Sequence, residues 1–179
     1  MEKAFSHHNH QQCQSSAVSQ ARELCDKEGV RFTKLREQVF SLIWQSHKPI
    51  TAYQLLDLIK DGDFSATPPT VYRTLDFLLE QGLIHRINSL NAFIGCCQPG
   101  EHHTGTFIIC EQCEQAEEVD NDEIVRVIKD VSDHHKFRMK RYVTEIYGLC
   151  PQCQSENARC QSASSESAGR ESTEEEHQS

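Results

Sequence analysis

The sequence predicts an α+β chain built from two unlike halves. Three observations carry this. Residues 18–82 place apolar side chains at helical spacing, with capping residues between the runs and Gly82 at their end. Two short strand-like runs around an Asn-flanked turn follow at once. Beyond a polar hinge the texture alternates strand, helix and strand, and a Cys-x-x-Cys unit follows the first and the last of these strands. Helices followed by a hairpin are the order of a winged helix, and the second half reads as a small α/β unit.

Each element has a local reason. A first helix is expected near Val18–Glu28. A second follows Thr33, whose hydroxyl suits an N-cap, with Leu35, Val39, Leu42 and Ile43 on one stripe. The third opens at Thr51, and Gln54 three residues on completes a capping box before Leu55, Leu56, Leu58 and Ile59. The fourth opens at Thr67-Pro68-Pro69, since proline in a first turn forfeits no helical bond, and it ends before Gly82. Its core stripe is Val71, Leu75, Leu78 and Leu79. Strands near Leu83–Ile87 and Ala92–Gly95 enclose the turn Asn88–Asn91. Residues 18–97 thus form the first domain and 98–105 a hinge rich in His and Gly. Residues 106–153 form the second domain, with strands Thr106–Cys110, Ala116–Val119 and Arg138–Tyr147 and a helix near Glu123–His134. The polar ends, 1–17 with His7, His8 and His10, and the acidic 154–179, read as disordered.

The net charge of −9 lies entirely in the second half. Residues 20–97 carry nine Lys/Arg and nine Asp/Glu, whereas residues 98–179 carry eight and 17. A neutral first half is compatible with nucleic-acid binding if its basic side chains share a face. No apolar run reaches membrane-spanning length, and Met1–Gln20 holds no signal-peptide core, so a cytoplasmic location is expected. Thiols stay reduced there, and nine cysteines then point to metal rather than disulfides.

The strongest chemical signal is Cys110-Glu111-Gln112-Cys113 paired with Cys150-Pro151-Gln152-Cys153. Two residues between thiolates let one tight turn aim both sulfurs at one ion, and two such turns make a closed, structural four-cysteine zinc site. Cys13 and Cys160 fall in the expected tails, and Cys25 fits a small core residue of the first helix. Cys96 and Cys97 sit where the hairpin meets the hinge, near His102 and His103. With His85 in the hairpin and Glu117-Glu118 beyond the first Cys-x-x-Cys, they offer N, S and O donors from both halves and their junction. On the fourth helix Thr70, Tyr72, Arg73 and Asp76 fall largely off the core stripe. Arg is the commonest reader of guanine in a major groove, and recognition helices contact bases through their first turns.

The run Pro68-Pro69-Thr70-Val71-Tyr72-Arg73-Thr74-Leu75-Asp76-Phe77-Leu78, with Glu80-Gln81-Gly82-Leu83-Ile84 and both Cys-x-x-Cys pairs, resembles the ferric uptake regulator family over roughly residues 18–153. Ala52-Tyr53-Gln54-Leu55-Leu56-Asp57-Leu58 and Gly148-Leu149-Cys150 resemble its zinc-responsive branch. The resemblance implies an N-terminal winged-helix DNA-binding domain and a small C-terminal α/β dimerisation domain. It implies two zincs per chain, one structural on the four cysteines and one regulatory at the hinge. The regulatory ligands carried over are His85, Cys96, His103 and Glu118, with His102 and Cys97 left open as alternatives. It further implies base contact by Tyr53 and Arg73, a backbone contact by Tyr72, and pairing of neighbouring dimers on DNA through Asp57. The implied function is a homodimeric, zinc-responsive repressor of zinc-uptake genes whose partner is double-stranded operator DNA, with no membrane and no small-molecule substrate. His102-His103-Thr104-Gly105 lacks the His-x-His of iron- and peroxide-sensing relatives, and Val143-Thr144-Glu145 lacks their histidine in the last strand. A thiolate ligand also favours zinc over metals that prefer oxygen. An enzyme would need an open metal position; no His-Glu-x-x-His is present, and no His-x-Glu is paired with Pro-Cys-x-x-Cys. A zinc-stabilised protein–protein adaptor and a family member answering to another metal or to peroxide are the rival expectations.

Overall fold

The computed structural model describes residue 5 and residues 10–60, 67–100 and 105–158. The first half runs α1 (His10–Lys27), α2 (Lys34–Ile43), β1 (Ile50–Thr51), α3 (Ala52–Lys60), α4 (Pro68–Glu80), β2 (Ile84–Ile87) and β3 (Ala92–Gly95). The second runs β4 (Thr106–Cys110), β5 (Ala116–Val119), α5 (Asp122–His134) and β6 (Thr144–Gly148). Residues 151–158 are also helical. No helix among the described residues is long and apolar enough to cross a membrane.

The helix starts follow the capping chemistry. Thr33 accepts from the Arg36 N–H, and Thr51 and Gln54 exchange bonds, Thr51 N–H to Gln54 Oε1 at 2.8 Å and Gln54 N–H to Thr51 Oγ1 at 3.3 Å. Each such cap satisfies a first-turn N–H that has no helical partner. After α4, Gly82 takes φ +62°, the left-handed conformation that lets the chain leave the helix and enter β2. The helices bury one core, with Val39, Leu55, Ile59, Val71, Leu78 and Leu83 at 0 % exposure.

β2 and β3 form an antiparallel hairpin, and β1 adds to its other edge in the order β1-β3-β2. β1 is too short for period-two patterning to reveal. The last residue of β3, Gly95, has no room for a side chain, since a Cβ there would lie 2.2 Å from the Trp44 indole. The second sheet has the order β5-β4-β6, with β4 and β5 antiparallel and β4 and β6 parallel across the α5 crossover. The two halves share a second apolar cluster, Ile87 and Ile94 from the hairpin against Phe107, Ile109 and Ala116. The Ala116 N–H also donates to His47 O at 2.8 Å across the same junction.

Several sequence expectations need correction. The arm read as disordered over 1–17 becomes helical at His10. Its packing stripe uses small residues, Ala17, Ala21 and Cys25, which bring α1 close to its neighbours without a large apolar signal. Gln14 adds a bond to Ser41 O at 2.8 Å. Cys13 therefore stands on a helix, and Phe5 packs beside the four-cysteine cluster. Residues 154–158 of the expected tail continue the last helical segment, while Cys160 lies outside the described residues. The last strand begins at Thr144 rather than Arg138: among the described residues the basic run before it pairs with no strand, and Thr144–Gly148 lies beside β4.

Candidate metal centres

The four cysteines meet because β4 and β6 run in the same direction. Their register pairs Cys110 with Gly148, so both Cys-x-x-Cys turns leave the same end of the sheet. Glu114 at φ +61° closes the first turn, and Pro151 opens a helical segment in the second. All four sulfurs lie within 4.8 Å of one another, with Cys113 Sγ 3.9 Å from Cys150 Sγ. A tetrahedral ion with metal–sulfur bonds of about 2.3 Å places neighbouring sulfurs about 3.8 Å apart, whereas a disulfide needs about 2.05 Å. The spacing fits zinc, not a bridge.

The electrostatics agree. Burial raises the Cys110 thiol, but the N–H groups of Cys113, Cys150 and Gln112 that point at its sulfur outweigh this and bring it below its usual value. Burial and the neighbouring thiols push Cys153 the other way. Four adjacent sulfurs cannot all ionise without a cation among them. A divalent ion resolves that conflict.

The second cluster spans both halves. His85 on β2, Cys96 just after β3 and Glu118 on β5 bring donor atoms within 4.8 Å of one another. Backbone register sets each position. The Cys96 N–H donates to Leu83 O at 3.0 Å, extending the hairpin ladder. Glu118 pairs with Phe107, and the Phe107 ring meets His85 edge-on at 5.4 Å. Glu118 shares the face of Ala116, two residues earlier, and so points at the hairpin, whereas Glu117 lies on the other face. Glu118 Oε1 lies 2.9 Å from His85 Nε2, and its other oxygen accepts from the Cys97 N–H at 3.1 Å. Burial and then the Glu118 carboxylate push the Cys96 thiol well up from its usual value, so without a metal it keeps its proton. Cys97, whose N–H rather than its sulfur engages Glu118, is pushed up to about 12 by burial and then by Glu118 and Glu117. The structure therefore brings together three of the four expected regulatory ligands and takes Cys96 rather than Cys97. His103 and its alternative His102 lie outside the described residues. A cavity of about 430 Å³ beside this cluster is lined by Cys13, Trp44, His47, Cys97 and Glu117. Cys13 thus faces the junction, which its place in a polar N-terminal run did not signal.

The expected nucleic-acid residues lie on α3 and α4. Tyr53 is 72 % exposed and Tyr72 44 %, and Arg73 and Asp76 are also exposed. Thr70 is half-buried, its hydroxyl 2.9 Å from that of Thr67. Asp57 is exposed and paired with Lys60 at 3.1 Å. On α5 no residue is buried, although Val127 and Val131 are 61 % and 56 % exposed on a strongly amphipathic helix. Phe137, Val143 and Ile146 are exposed large apolar residues as well.

One closed thiolate centre inside the second half, and one mixed centre across both halves, define a two-part α+β protein fitted to bind metal. The model described as "Ferric uptake regulator family" matches residues 27–147, and the chain belongs to that family. The "Zinc uptake regulation protein" of Escherichia coli (strain K12) is 36% identical over 139 residues, covering 76% of this chain and 80% of that protein. A solved "Zinc Uptake Regulator Complexed With Zinc AND DNA" superposes with a TM-score of 0.75 at 34% identity, over 81% of this chain and 97% of that one. A crystal structure of holo XcZur gives 0.72 at 35% identity, over 78% and 98%.

Proposed function

We propose that this chain is a cytoplasmic, zinc-responsive transcriptional repressor that binds operator DNA as a homodimer and silences zinc-uptake genes. The observation that carries the reading is the cluster of His85, Cys96 and Glu118, whose donors come from both sides of the junction. The first half is read as a winged helix, with β2 and β3 as the wing and α4 as the recognition helix. The second half is read as the dimerisation domain, held by the four-cysteine zinc. Relatives named for zinc uptake regulation, and a related structure complexed with zinc and DNA, support the function. No catalytic residue is assigned, in keeping with a family of regulators.

A bound zinc ion supplies a divalent centre that accepts electron pairs from nitrogen, sulfur and carboxylate oxygen together. The chain's own residues do the rest. His85 and Cys96 tie the wing, and Glu118 ties the second half, to one point. His103, or His102 in its place, is the fourth donor in this reading. Engaging all of them fixes the angle at which α4 leaves the dimer, and hence the span between two recognition helices. Arg73 and Tyr53 then read bases, Tyr72 and Thr70 contact the strand beside them, and Asp57 contacts a neighbouring dimer. The exposed valines of α5, with Ile146 of β6, are the apolar surface that a second copy covers.

The test is selection of duplexes from a random pool by the zinc-loaded protein, followed by binding of the selected duplex across a zinc-buffer series. Binding should rise steeply with free zinc and not with iron or manganese at their physiological levels. Binding that is indifferent to zinc, or no selected sequence at all, would reject the repressor reading.

A further inference from the structure

The register of the second sheet places Glu118, Phe107 and Glu145 in one row, since Phe107 pairs with Glu118 on β5 and with Glu145 on β6. Directly paired residues share a face, and this face meets the hairpin. Each member of the row engages it. Glu118 lies on His85, and Phe107 packs with His85, Ile87 and Ile94. Glu145 takes the tip of the turn: Oε1 accepts from the Asn88 N–H at 2.7 Å and Oε2 from the Ser89 N–H at 3.4 Å. Tyr147, two residues on and on the same face, donates to Glu145 at 2.8 Å and hydrogen-bonds the Ser89 hydroxyl.

We propose that Glu145 is a positioning residue for the bridging metal centre: it clasps the hairpin tip to the second half and so presets His85 and Cys96 against Glu118. The proposal rests on the bridging site reading above. Two neighbouring backbone N–H groups converge on one carboxylate, a charge-assisted arrangement stronger than neutral bonds. Asn88 lies three residues along the chain from His85, in the turn that joins β2 to β3. The clasp is built from Glu145, Tyr147, Asn88 and Ser89, which are neither expected ligands nor members of the four-cysteine cluster. It acts only on the relative placement of the two halves. Because both the clasp and the bridging metal favour the same placement, each lowers the cost of forming the other.

The experiment is zinc titration of the full chain against a competing chelator, for wild type, Glu145→Ala, Glu145→Gln and Tyr147→Phe. Glu145→Ala should weaken the second, bridging zinc roughly three- to tenfold, the scale of losing hydrogen bonds to a charged group at a partly exposed site. The first, four-cysteine zinc should be unmoved. Glu145→Gln keeps one acceptor oxygen and should recover part of the loss, and Tyr147→Phe should lose less than Glu145→Ala. Amide exchange at Asn88 and Ser89 should quicken in Glu145→Ala before any zinc is added. Bridging affinity within twofold of wild type in Glu145→Ala would overturn the proposal, as would a loss shared equally by both zinc sites. If wild type takes up only one zinc, the bridging reading fails instead. The clasp is then judged by exchange alone, with unchanged Asn88 and Ser89 rates overturning it.

Discussion

Replacing Cys96 with serine removes one donor of the bridging centre while leaving its backbone role in place. Cys96 is 2 % exposed, and its N–H still donates to Leu83 O in the variant. The serine hydroxyl is a buried polar group, with a burial cost of about 1–3 kcal/mol. The Gln98 N–H, now on Cys96 Sγ at 3.3 Å, returns about 1 kcal/mol of that as a hydrogen bond. The metal-free fold should therefore lose about 1 kcal/mol, a fall of roughly 2–6 °C in Tm. The effect on metal should be much larger. A total zinc affinity of about 10–16 kcal/mol, spread over four ligands, gives about 3 kcal/mol for one of them. Shifting the two-half arrangement from 1:99 to 99:1 takes about 5.5 kcal/mol, so losing about 3 leaves the competent arrangement at roughly 40 % rather than 99 % even at full occupancy. The assays are elemental zinc per chain after removal of excess metal, and DNA binding across a zinc-buffer series. Wild type should hold about two zincs and Cys96→Ser about one, with the DNA-binding midpoint moved by roughly two decades in free zinc. Two zincs and unshifted DNA binding in the variant would remove Cys96 from the mechanism.

Four other outcomes follow from the same geometry. Cys113→Ser opens the four-thiolate cluster and should cost several kcal/mol of the second half's stability, seen as loss of dimer by sedimentation; a stable, dimeric Cys113→Ser protein would contradict a structural role. Arg73→Ala should weaken specific binding by about 1–3 kcal/mol with little change on random duplex, and an equal loss on both would make Arg73 a phosphate contact. Val127→Asp places a charge in the exposed apolar stripe of α5 and should yield monomers at micromolar concentration without lowering monomer helix content; an unaltered dimer would move the interface elsewhere. Burial raises the Glu145 carboxyl, but bonds from the Ser89 hydroxyl, Tyr147 and the N–H groups of Asn88 and Ser89 outweigh it and hold it below its ordinary 4.5. A depressed carboxylate stabilises above its unfolded value and loses this as pH falls through the folded one. The Tm gap between wild type and Glu145→Gln should therefore be full well above the ordinary carboxyl value of 4.5 and shrink as the pH falls below it; a gap independent of pH would exclude the carboxylate as its source.

Much of the candidate site was legible because its signals are local. Cys-x-x-Cys spacing is fixed by the reach of one turn, and the caps at Thr33 and Thr51 depend on residues three positions away. Helix periodicity found the exposed face of α4, with Tyr72, Arg73 and Asp76 off the stripe. The elements that escaped were those whose evidence is not local. β1 is two residues long and is defined only by its pairing with β3. The first turns of α1 present small residues, whose burial depends on what lies across from them.

The sequence by itself determined the helix boundaries near strong caps, the two-half organisation, and the residue types able to hold zinc, because each of these depends on neighbours along the chain. It also carried His85, Cys96 and Glu118 as donors through a family resemblance, without a distance between them. Only the tertiary structure decided that these three converge, that Cys96 rather than Cys97 turns inward, and that Glu118 rather than Glu117 faces the hairpin. It alone joined Glu145 to the hairpin tip, 57 positions from Asn88 along the chain. Such choices follow from sheet register and from the face each strand buries, and those are fixed by pairing with distant segments rather than by any residue's own neighbours.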